Sequence, residues 1–322
     1  MDINFRVIKA LMRRDLKLYF SNPTGYVFVT LFIFLSAAAA FWQDRFFMNN
    51  LANLEQLNRL FPYLLVFFIP AITMGLWADE RKQGTEELLL TLPASDASLL
   101  LGKYLAALGI YTVALLFSLS HVVVLLFLGS PDFGMLAATY FGYWLMGAAL
   151  LALGLVASQL TDNLTVDFIL GAVFCAIPVF LRHAGVVLSG NARRLAEQLS
   201  VVEQFRDLSS GVVTLSAVVY FVSMAVGVLY ISIRLAGRHR WPAKKGSPKL
   251  AAHVLVRALA LAGIVGSLTV LSANLGGRLD VTSEQIHSLS GDTVALINSI
   301  DPAKPVFIQA YLSPEVPRAY LG

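Results

Sequence analysis

Charge and cysteine are both scarce in this sequence. Of its 322 residues, 14% are charged and 57% are hydrophobic, whereas a typical soluble domain has about 25% charged residues. The mean hydropathy is +0.71. The one cysteine, Cys175, stands in an apolar run, which excludes a disulfide framework and a cysteine-based metal site. These features exclude an ordinary soluble domain and indicate an integral membrane protein.

The sequence also lacks the short motifs of common ATP-dependent and metal-dependent catalytic sites. A P-loop needs G-x-x-x-x-G-K-[ST], and the nearest segment, residues 97–104, lacks the first glycine and the hydroxyl residue. Neither H-E-x-x-H nor G-x-S-x-G occurs, and the five histidines are scattered. We therefore predict that the chain hydrolyses no ATP through a P-loop and binds no metal or cofactor itself. Few ionisable residues fall deep in the apolar runs, which argues against a proton-driven carrier with a carboxylate relay.

Seven apolar runs are long enough to cross a hydrocarbon core, which takes roughly 20 helical residues. They cover residues 26–42, 61–77, 104–129, 136–157, 166–181, 212–235 and 251–275. The first run follows a basic segment and contains alanines at 37–40, so a cleaved signal peptide is an alternative. We favour a retained span, because the apolar run continues to Trp42 and the basic segment is long.

Particular residues in these runs bear on helix packing. Pro70 predicts a kink in the second run, tolerated where neighbouring helices supply hydrogen-bond partners. The fourth run is rich in Gly and Ala, and small residues four apart, such as Ala148 and Ala152, let helices approach closely. His121 in the third run is either a proton relay or, as we favour, a hydrogen-bonding partner within the bundle.

The polar segment over residues 79–103 organises the first half of the chain. Eight of its 25 residues are charged, so it cannot lie in lipid. An apolar stripe at helical spacing predicts one short helix over about 80–92. The stripe comprises Thr85, Leu88, Leu89 and Leu92. Pro93 ends this helix, and Ser95 or Asp96 caps the next one. An ordinary solvated loop is the alternative that the pattern alone leaves open.

This segment resembles the ERxxGTxExLL…P…GK signature of ABC-2 type export permeases. The match runs from Glu80 to Leu89 and continues with Pro93 and the pair Gly102-Lys103, while Lys82 departs from the acidic residue that is frequent in the family. In that family the segment is the cytoplasmic coupling helix that meets the ATPase subunit. The resemblance therefore implies a set of coupling residues in this chain: Glu80, Arg81, Gly84, Thr85, Glu86, Glu87, Leu88, Leu89 and Pro93.

Within that set, two groups of residues have different expected roles. The charged residues should face the partner, and the leucines should seat the helix against the bundle. The first group is Glu80, Arg81, Glu86 and Glu87; the second is Leu88, Leu89 and Leu92.

The remaining segments complete the predicted order. Residues 1–23 are basic with an apolar face and predict an interfacial helix, with a disordered tail as the alternative. Residues 189–211 predict a short helix outside the membrane. Residues 236–250 are basic with Pro and Gly, and predict a cytoplasmic linker.

After residue 276 the composition changes again. Ser290 can cap a helix, and residues 306–312 predict a strand. The pattern Asp280-x-Thr282 with Ser288-Leu289-Ser290-x-x-Thr293 resembles the start of the accessory extracytoplasmic domain of gliding-motility-type ABC systems, in which a permease works with or is fused to a membrane-anchored protein. Since a lone strand is unstable, we expect residues 276–322 to begin a longer α/β domain.

The distribution of Lys and Arg predicts the orientation. With the amino terminus inside, the inner segments carry 15 of these residues and the outer segments carry 9. The bias places the amino terminus in the cytoplasm, and seven spans then place residues after 275 outside.

We therefore predict an all-α integral membrane protein of the bacterial inner membrane. Residues 1–235 form a six-helix ABC-2 type permease bundle, residues 251–275 a seventh transmembrane helix, and residues 276–322 the start of an extracytoplasmic domain. The expected partners are an ABC ATPase that binds ATP and Mg²⁺, a second permease copy in a homodimer and membrane lipid, but no nucleic acid. The alternatives are an ATP-driven mechanical or scaffold complex of the envelope, and a secondary transporter.

Overall fold

A computed structural model describes residues 3–42, 46, 52–91, 94–184, 189–236 and 249–300. Helices dominate this part of the chain. In order they are α1 (Phe5–Ser21), α2 (Pro23–Phe41), α3 (Glu55–Thr73), α4 (Ala78–Lys82), α5 (Thr85–Thr91), α6 (Asp96–Phe117), α7 (Ser120–Leu128), α8 (Phe133–Ser158), α9 (Leu164–Ala184), α10 (Gly190–Gln198), α11 (Val201–Ser209), α12 (Leu215–Ala236), α13 (Lys249–Asn274) and α14 (Gly291–Asn298). Two short strands, β1 (Val212–Thr214) and β2 (Arg278–Asp280), pair antiparallel.

Seven helical segments in the described residues are long and apolar enough to cross a membrane, which confirms the predicted all-α membrane fold. They are α2, α3 with α4, α6 with α7, α8, α9, α12 and α13. Large apolar side chains such as Phe34, Phe127 and Val226 are exposed on them, as lipid-facing side chains are. Since successive spans alternate in direction, α1, α4, α5 and residues 159–163 lie at one end of the bundle, here the near end. Residues 129–132, 189–214 and 275–284 lie at the far end.

The structure corrects two predicted boundaries. α3 begins at Glu55, ahead of the apolar run predicted from residue 61. The start of α3 is polar but still helical, because Gln56 and Asn58 are buried against the bundle. Residues 212–214, predicted within the sixth span, form β1 instead.

α1 confirms the predicted helix ahead of the first span. Asn4 caps it by accepting a hydrogen bond from the Arg6 backbone N–H at 3.0 Å. Its buried residues, Ile8 and Leu11, face α6. Gly102 permits this contact, because a Cβ there would lie 2.9 Å from Leu11 Cδ2. α1 is therefore packed against the start of a span, and its contact with a lipid surface stays a prediction.

The core between α2, α3, α6 and α8 is aromatic. The Phe32 and Phe68 rings meet edge to face at 5.0 Å between centroids, and Phe61 stacks on Tyr143 at 3.6 Å. Tyr111 donates a hydrogen bond to the Tyr143 carbonyl at 2.8 Å. A Cβ at Gly147 would overlap the Tyr111 ring. Gly147 therefore allows α8 to lie close to α6, as the small residues of the fourth run predict.

His121 takes the role that we favour from the sequence. Its Nε2 lies 2.8 Å from Ser36 Oγ on α2, and the side chain is buried. A buried polar group needs such a partner. The contact confirms hydrogen bonding within the bundle.

At the far end, the segment after the seventh span pairs with a strand of the bundle. β1 and β2 pair in the register Val212↔Asp280 and Thr214↔Arg278. The Val281 N–H donates to the Gly211 carbonyl at 3.1 Å. Thus the segment after the seventh span first forms a strand that pairs with residues 212–214.

The chain divides into two compact units, Met1–Glu284 and Gln285–Gly322. In the second unit, Ser290 caps α14 as predicted, and its side chain accepts a hydrogen bond from the Thr293 N–H at 3.2 Å. The strand predicted over residues 306–312 and most of the linker predicted over residues 236–250 lie outside the described residues.

Candidate functional site

The predicted coupling segment consists of two short helices, where the sequence predicts one over about 80–92. α4 ends at Lys82, and α5 begins at Thr85. Gly84 between them has φ = 71°, in the left-handed region that favours glycine. A Cβ at Gly84 would meet no atom within 4 Å, so backbone conformation and not crowding explains the glycine. The segment therefore turns sharply at Gly84.

Behind α4, charged side chains form a buried network centred on Lys103 of α6. Lys103 is only 2% exposed. Its Nζ lies 3.1 Å from Glu80 Oε1 and 3.8 Å from Asp15 Oδ2, and it donates to the Leu76 carbonyl at 2.5 Å. The ammonium group also lies 5.1 Å from the centroid of the Trp77 ring. A buried charge needs such pairing and hydrogen bonding.

Arg14 and Thr85 complete the contacts of Glu80. Arg14 Nη2 lies 2.5 Å from Glu80 Oε1, and the Thr85 hydroxyl donates to Glu80 Oε2. Desolvation lowers the pKa of Arg14, but the carboxylates of Asp15 and Glu80 raise it, and the net shift is upward. Glu80 thus joins α1, α4, α5 and α6, and it is an internal residue, contrary to the expectation that it faces a partner.

A second ion-pair group surrounds Arg81, the residue of α4 that follows Glu80. Arg81 Nε donates to Glu86 Oε2 at 3.0 Å, and Arg81 Nη1 donates to Asp162 Oδ1 at 3.3 Å. Arg81 and Glu86 side chains are 12% and 16% exposed, whereas the Asp162 side chain is 74% exposed. Arg81 therefore ties α5 to the connection between α8 and α9.

The outward surface of this region is a polar cleft of about 510 Å³. Its lining includes Arg81, Glu86, Glu87, Gln159 and Asp162. We call this surface the near-end cleft. Three of its lining residues are acidic, and their proximity to Arg81 gives the cleft a mixed but mainly negative character.

The leucines of α5 divide between the interior and the surface. Leu89 is buried and packs with Leu11 of α1 and Leu99 of α6. Leu88 is 67% exposed. The expectation that both leucines seat the helix is therefore wrong for Leu88, because α5 is short and presents a different face after the turn at Gly84. Leu92 and Pro93 lie outside the described residues.

Several members of the two ion-pair groups were not predicted as site residues. They are Arg14, Asp15, Lys103 and Asp162. Lys103 did carry a signal, since it is a lone lysine at the start of a long apolar run. Arg14 carried none, because its partner Glu80 is 66 positions away along the chain.

In the described residues, no group of three or more His, Cys, Asp or Glu side chains is placed to hold a metal ion. The chemistry that this region offers is ion pairing and docking.

Two comparisons with known proteins bear on this site. A family model described as "ABC-2 family transporter protein" matches residues 11–234, which include most of α1, the two ion-pair groups and the near-end cleft. A search of curated proteins found no match.

Proposed function

The chain belongs to the ABC-2 transporter family, and we propose that it is the permease subunit of an exporter driven by a separate ABC ATPase. Family membership and the seven spans make it a multi-pass membrane protein and a transporter membrane subunit. The coupling to an ATPase and the export direction are the proposed part. The observation that carries the proposal is the near-end cleft beside α5, in the segment that matches the signature of the family.

The surface of α5 has the composition of a docking site. Glu87 and the 67% exposed Leu88 point away from the bundle, next to the acidic lining of the cleft. An apolar side chain surrounded by charges is a typical anchor, since a few such residues supply most of the binding energy in an interface. The cleft would therefore receive a basic or amide-bearing segment of the ATPase.

The buried network provides a route from that surface into the spans. Glu80 contacts Thr85 at the start of α5, Arg14 on α1 and Lys103 on α6. Because these contacts are short and enclosed, a displacement of α5 would pull on α1 and α6 together. We infer that ATPase closure is transmitted along this path.

The docking surface is tested by changing exposed residues only. The double variant Glu87→Arg with Leu88→Asp reverses a charge and removes the apolar anchor without touching the buried network. We expect at least about a tenfold loss in ATPase association, equivalent to about 1.4 kcal/mol. The measurement is co-purification of the native ATPase from membranes with tagged permease, followed by the ATPase activity of the complex in liposomes.

A matched control carries the same two changes after the seventh span, Glu284→Arg with Leu289→Asp, where both side chains are exposed. This variant should retain the ATPase. If the α5 variant inserts normally and also retains full association and activity, the near-end cleft is not the docking surface.

We also propose residence in the bacterial inner membrane with the near end in the cytoplasm, supported by the distribution of Lys and Arg. In a chain whose buried Cys175 is replaced by Ala, Thr91→Cys should resist an impermeant thiol reagent in intact cells. Ser288→Cys, in the segment after the seventh span, should react. Labelling at position 91 without labelling at 288 would reverse the orientation.

Two further points belong to the proposal. Two permease halves are needed to enclose a path, so we propose a homodimer, which cross-linking in membranes would test.

The mechanical or scaffold complex is separated from export by ATPase activity that responds to a transported substrate in liposomes. Family membership does not support the secondary transporter.

A further inference from the structure

Asp167 is a buried carboxyl group that the proposed coupling does not use. It lies in the first turns of α9, at the near end, and is 1% exposed. Neither of its carboxylate oxygens has a hydrogen-bond partner in the described part of the chain. Buried polar atoms almost always have such partners, so this pair of oxygens requires an explanation.

Helix capping does not explain Asp167. The capping residue of α9 is Asn163, whose Oδ1 accepts the N–H groups of Thr165 and Val166 at 2.9 and 3.3 Å. The Asp167 N–H is itself satisfied by the Asn163 carbonyl at 2.8 Å. The positive end of the α9 dipole favours an anion near this position, but that effect is small beside the cost of desolvating an unpaired carboxylate.

Ion pairing does not explain it either. The side chains of neighbouring elements that act on the carboxyl group are Ser158 of α8 and Arg81 and Asp79 of α4. Ser158 Oγ accepts the Trp77 backbone N–H at 3.1 Å, and its O–H is a neutral donor near the carboxyl group that does not compensate a buried negative charge. Asp79 repels a negative charge, and Arg81 is held by Glu86 and Asp162. Asp167 is thus enclosed beside a cation that is engaged elsewhere.

We propose that Asp167 is a proton-binding site, occupied by a proton while Arg81 is paired with Glu86 and Asp162. A buried carboxyl group without a partner avoids its desolvation cost by staying neutral. If Glu86 moves away, the Arg81 N–H group that donated to Glu86 has no acceptor, and the guanidinium can turn to Asp167. The Asp167 O–H bond then breaks, the electron pair stays on the carboxylate, and the proton passes to water in the near-end cleft, which Arg81 lines.

That Asp167 holds a proton does not depend on the proposed ATPase coupling. A role for proton release in a transport cycle does rest on that coupling. A shift of α5 would change the Arg81–Glu86 pair, so docking at the near-end cleft would alter the charge at Asp167. The experiments below use the permease alone, so they can fail without bearing on whether an ATPase docks.

Infrared spectroscopy of protein labelled with ¹³C at the Asp carboxyl carbons tests for the proton. Near neutral pH, the wild type should show the C=O stretch of a protonated carboxylic acid, and Asp167→Asn should remove it. Asp292→Asn is the matched control, because Asp292 is exposed and belongs to neither ion-pair group. That variant should remove only a carboxylate band. If Asp167→Asn removes a carboxylate band instead, the proposal is wrong.

A second variant covers a failure of Asp167→Asn to fold. Asp167→Glu moves the acid out of the ¹³C-labelled pool, so the labelled C=O band should disappear while an unlabelled one appears. A labelled band that persists in Asp167→Glu belongs to another residue and overturns the assignment. A wild-type band that is absent in sodium buffer and appears only in choline buffer would show that a metal cation occupies the site, which also overturns the proposal.

The link to Arg81 is tested by the pH at which the C=O band disappears. Glu86→Gln frees Arg81 and should lower that midpoint, whereas Arg81→Gln should raise it, each by on the order of one pH unit. Asp79→Asn should lower it, because a repelling charge is removed. If none of the three variants moves the midpoint, Asp167 is not coupled to the ion pairs around it.

Discussion

At the scale of single residues, Lys103 is the clearest case of a side chain in an unusual environment, because lysine is normally exposed to solvent and this one is buried. A lysine that is 2% exposed is uncommon, and this one is accompanied by Glu80, the Leu76 carbonyl and the face of Trp77. The desolvation of two charges offsets much of their attraction, so the pair contributes little net stability compared with apolar side chains of the same size. The Lys103–Glu80 pair instead determines how α4 is positioned against α6.

Lys103→Met tests this interpretation, because it removes the ammonium group and retains the length of the side chain. Glu80 then stays buried with Arg14 as its remaining cation, and we expect a loss on the order of 3 kcal/mol in the free energy of unfolding. Detergent-solubilised protein would be measured by thermal or denaturant unfolding.

The exposed Lys82→Met, on the same helix as Glu80, should change stability by less than about 0.5 kcal/mol. The double variant Lys103→Met with Glu80→Gln should recover part of the loss, because the Glu80 carboxylate that lost its lysine is then neutral. Equal stability of Lys103→Met and the wild type would show that the network is accessible to solvent.

At the scale of helices, the sequence predicts the spans themselves. It does not predict which residues of different helices contact each other. Apolar runs, proline, cap residues and small residues act locally, which is why the order of the spans, the cap at Ser290 and the close approach at Gly147 were predictable. The turn at Gly84 was missed, because Thr85, Leu88, Leu89 and Leu92 keep a helical period across a short element. The burial of Glu80 was missed because it depends on Arg14 and Lys103, which are far from it along the chain.

The contact of α8 with α6 at Gly147 gives a prediction with an internal control. Gly147→Ala forces a methyl group into the Tyr111 ring, so either the ring or the helix must move. Overpacking of this kind costs about 1–3 kcal/mol. Gly263→Ala on α13 makes the same chemical change where no atom lies within 4 Å, and should be neutral or stabilising by up to about 1 kcal/mol. Unfolding measurements on both variants check the difference, and equal effects would contradict the close packing.

At the scale of the whole bundle, its two ends are built in different ways. The near end uses ion pairs between helices, with one face left as a cleft. The far end uses backbone pairing between β1 and β2, backed by Asp132, which accepts hydrogen bonds from the Ser283 N–H at 2.9 Å and the Ser283 hydroxyl at 3.0 Å. A Cβ at Gly134 would overlap the Val281 carbonyl oxygen, so the two segments are in close contact. We call these contacts the far-end latch.

The far-end latch ties the chain after the seventh span to the connection between the third and fourth spans. Asp132 is the N-cap of α8 and β1 leads directly into α12, so residues 278–283 contact the ends of both helices. Desolvation raises the pKa of Asp132, but hydrogen bonds from the Met135 backbone N–H and from Ser283 lower it, and the net shift is downward. We therefore expect the Asp132 carboxylate of the far-end latch to be ionised at neutral pH.

This ionisation predicts an acid-induced opening of the far-end latch. Since the folded-state pKa of Asp132 lies below the unfolded value of about 3.9, the carboxylate stabilises the latch above that value, and the contribution is lost as pH falls through the folded pKa. Hydrogen exchange of residues 278–283, corrected for intrinsic rates, should accelerate in that acidic range. Asp132→Asn should exchange faster at neutral pH and show no acid-dependent step from this residue, while β1–β2 pairing itself remains. An identical acid profile in the wild type and in Asp132→Asn would mean that the strand pairing alone holds the two segments together.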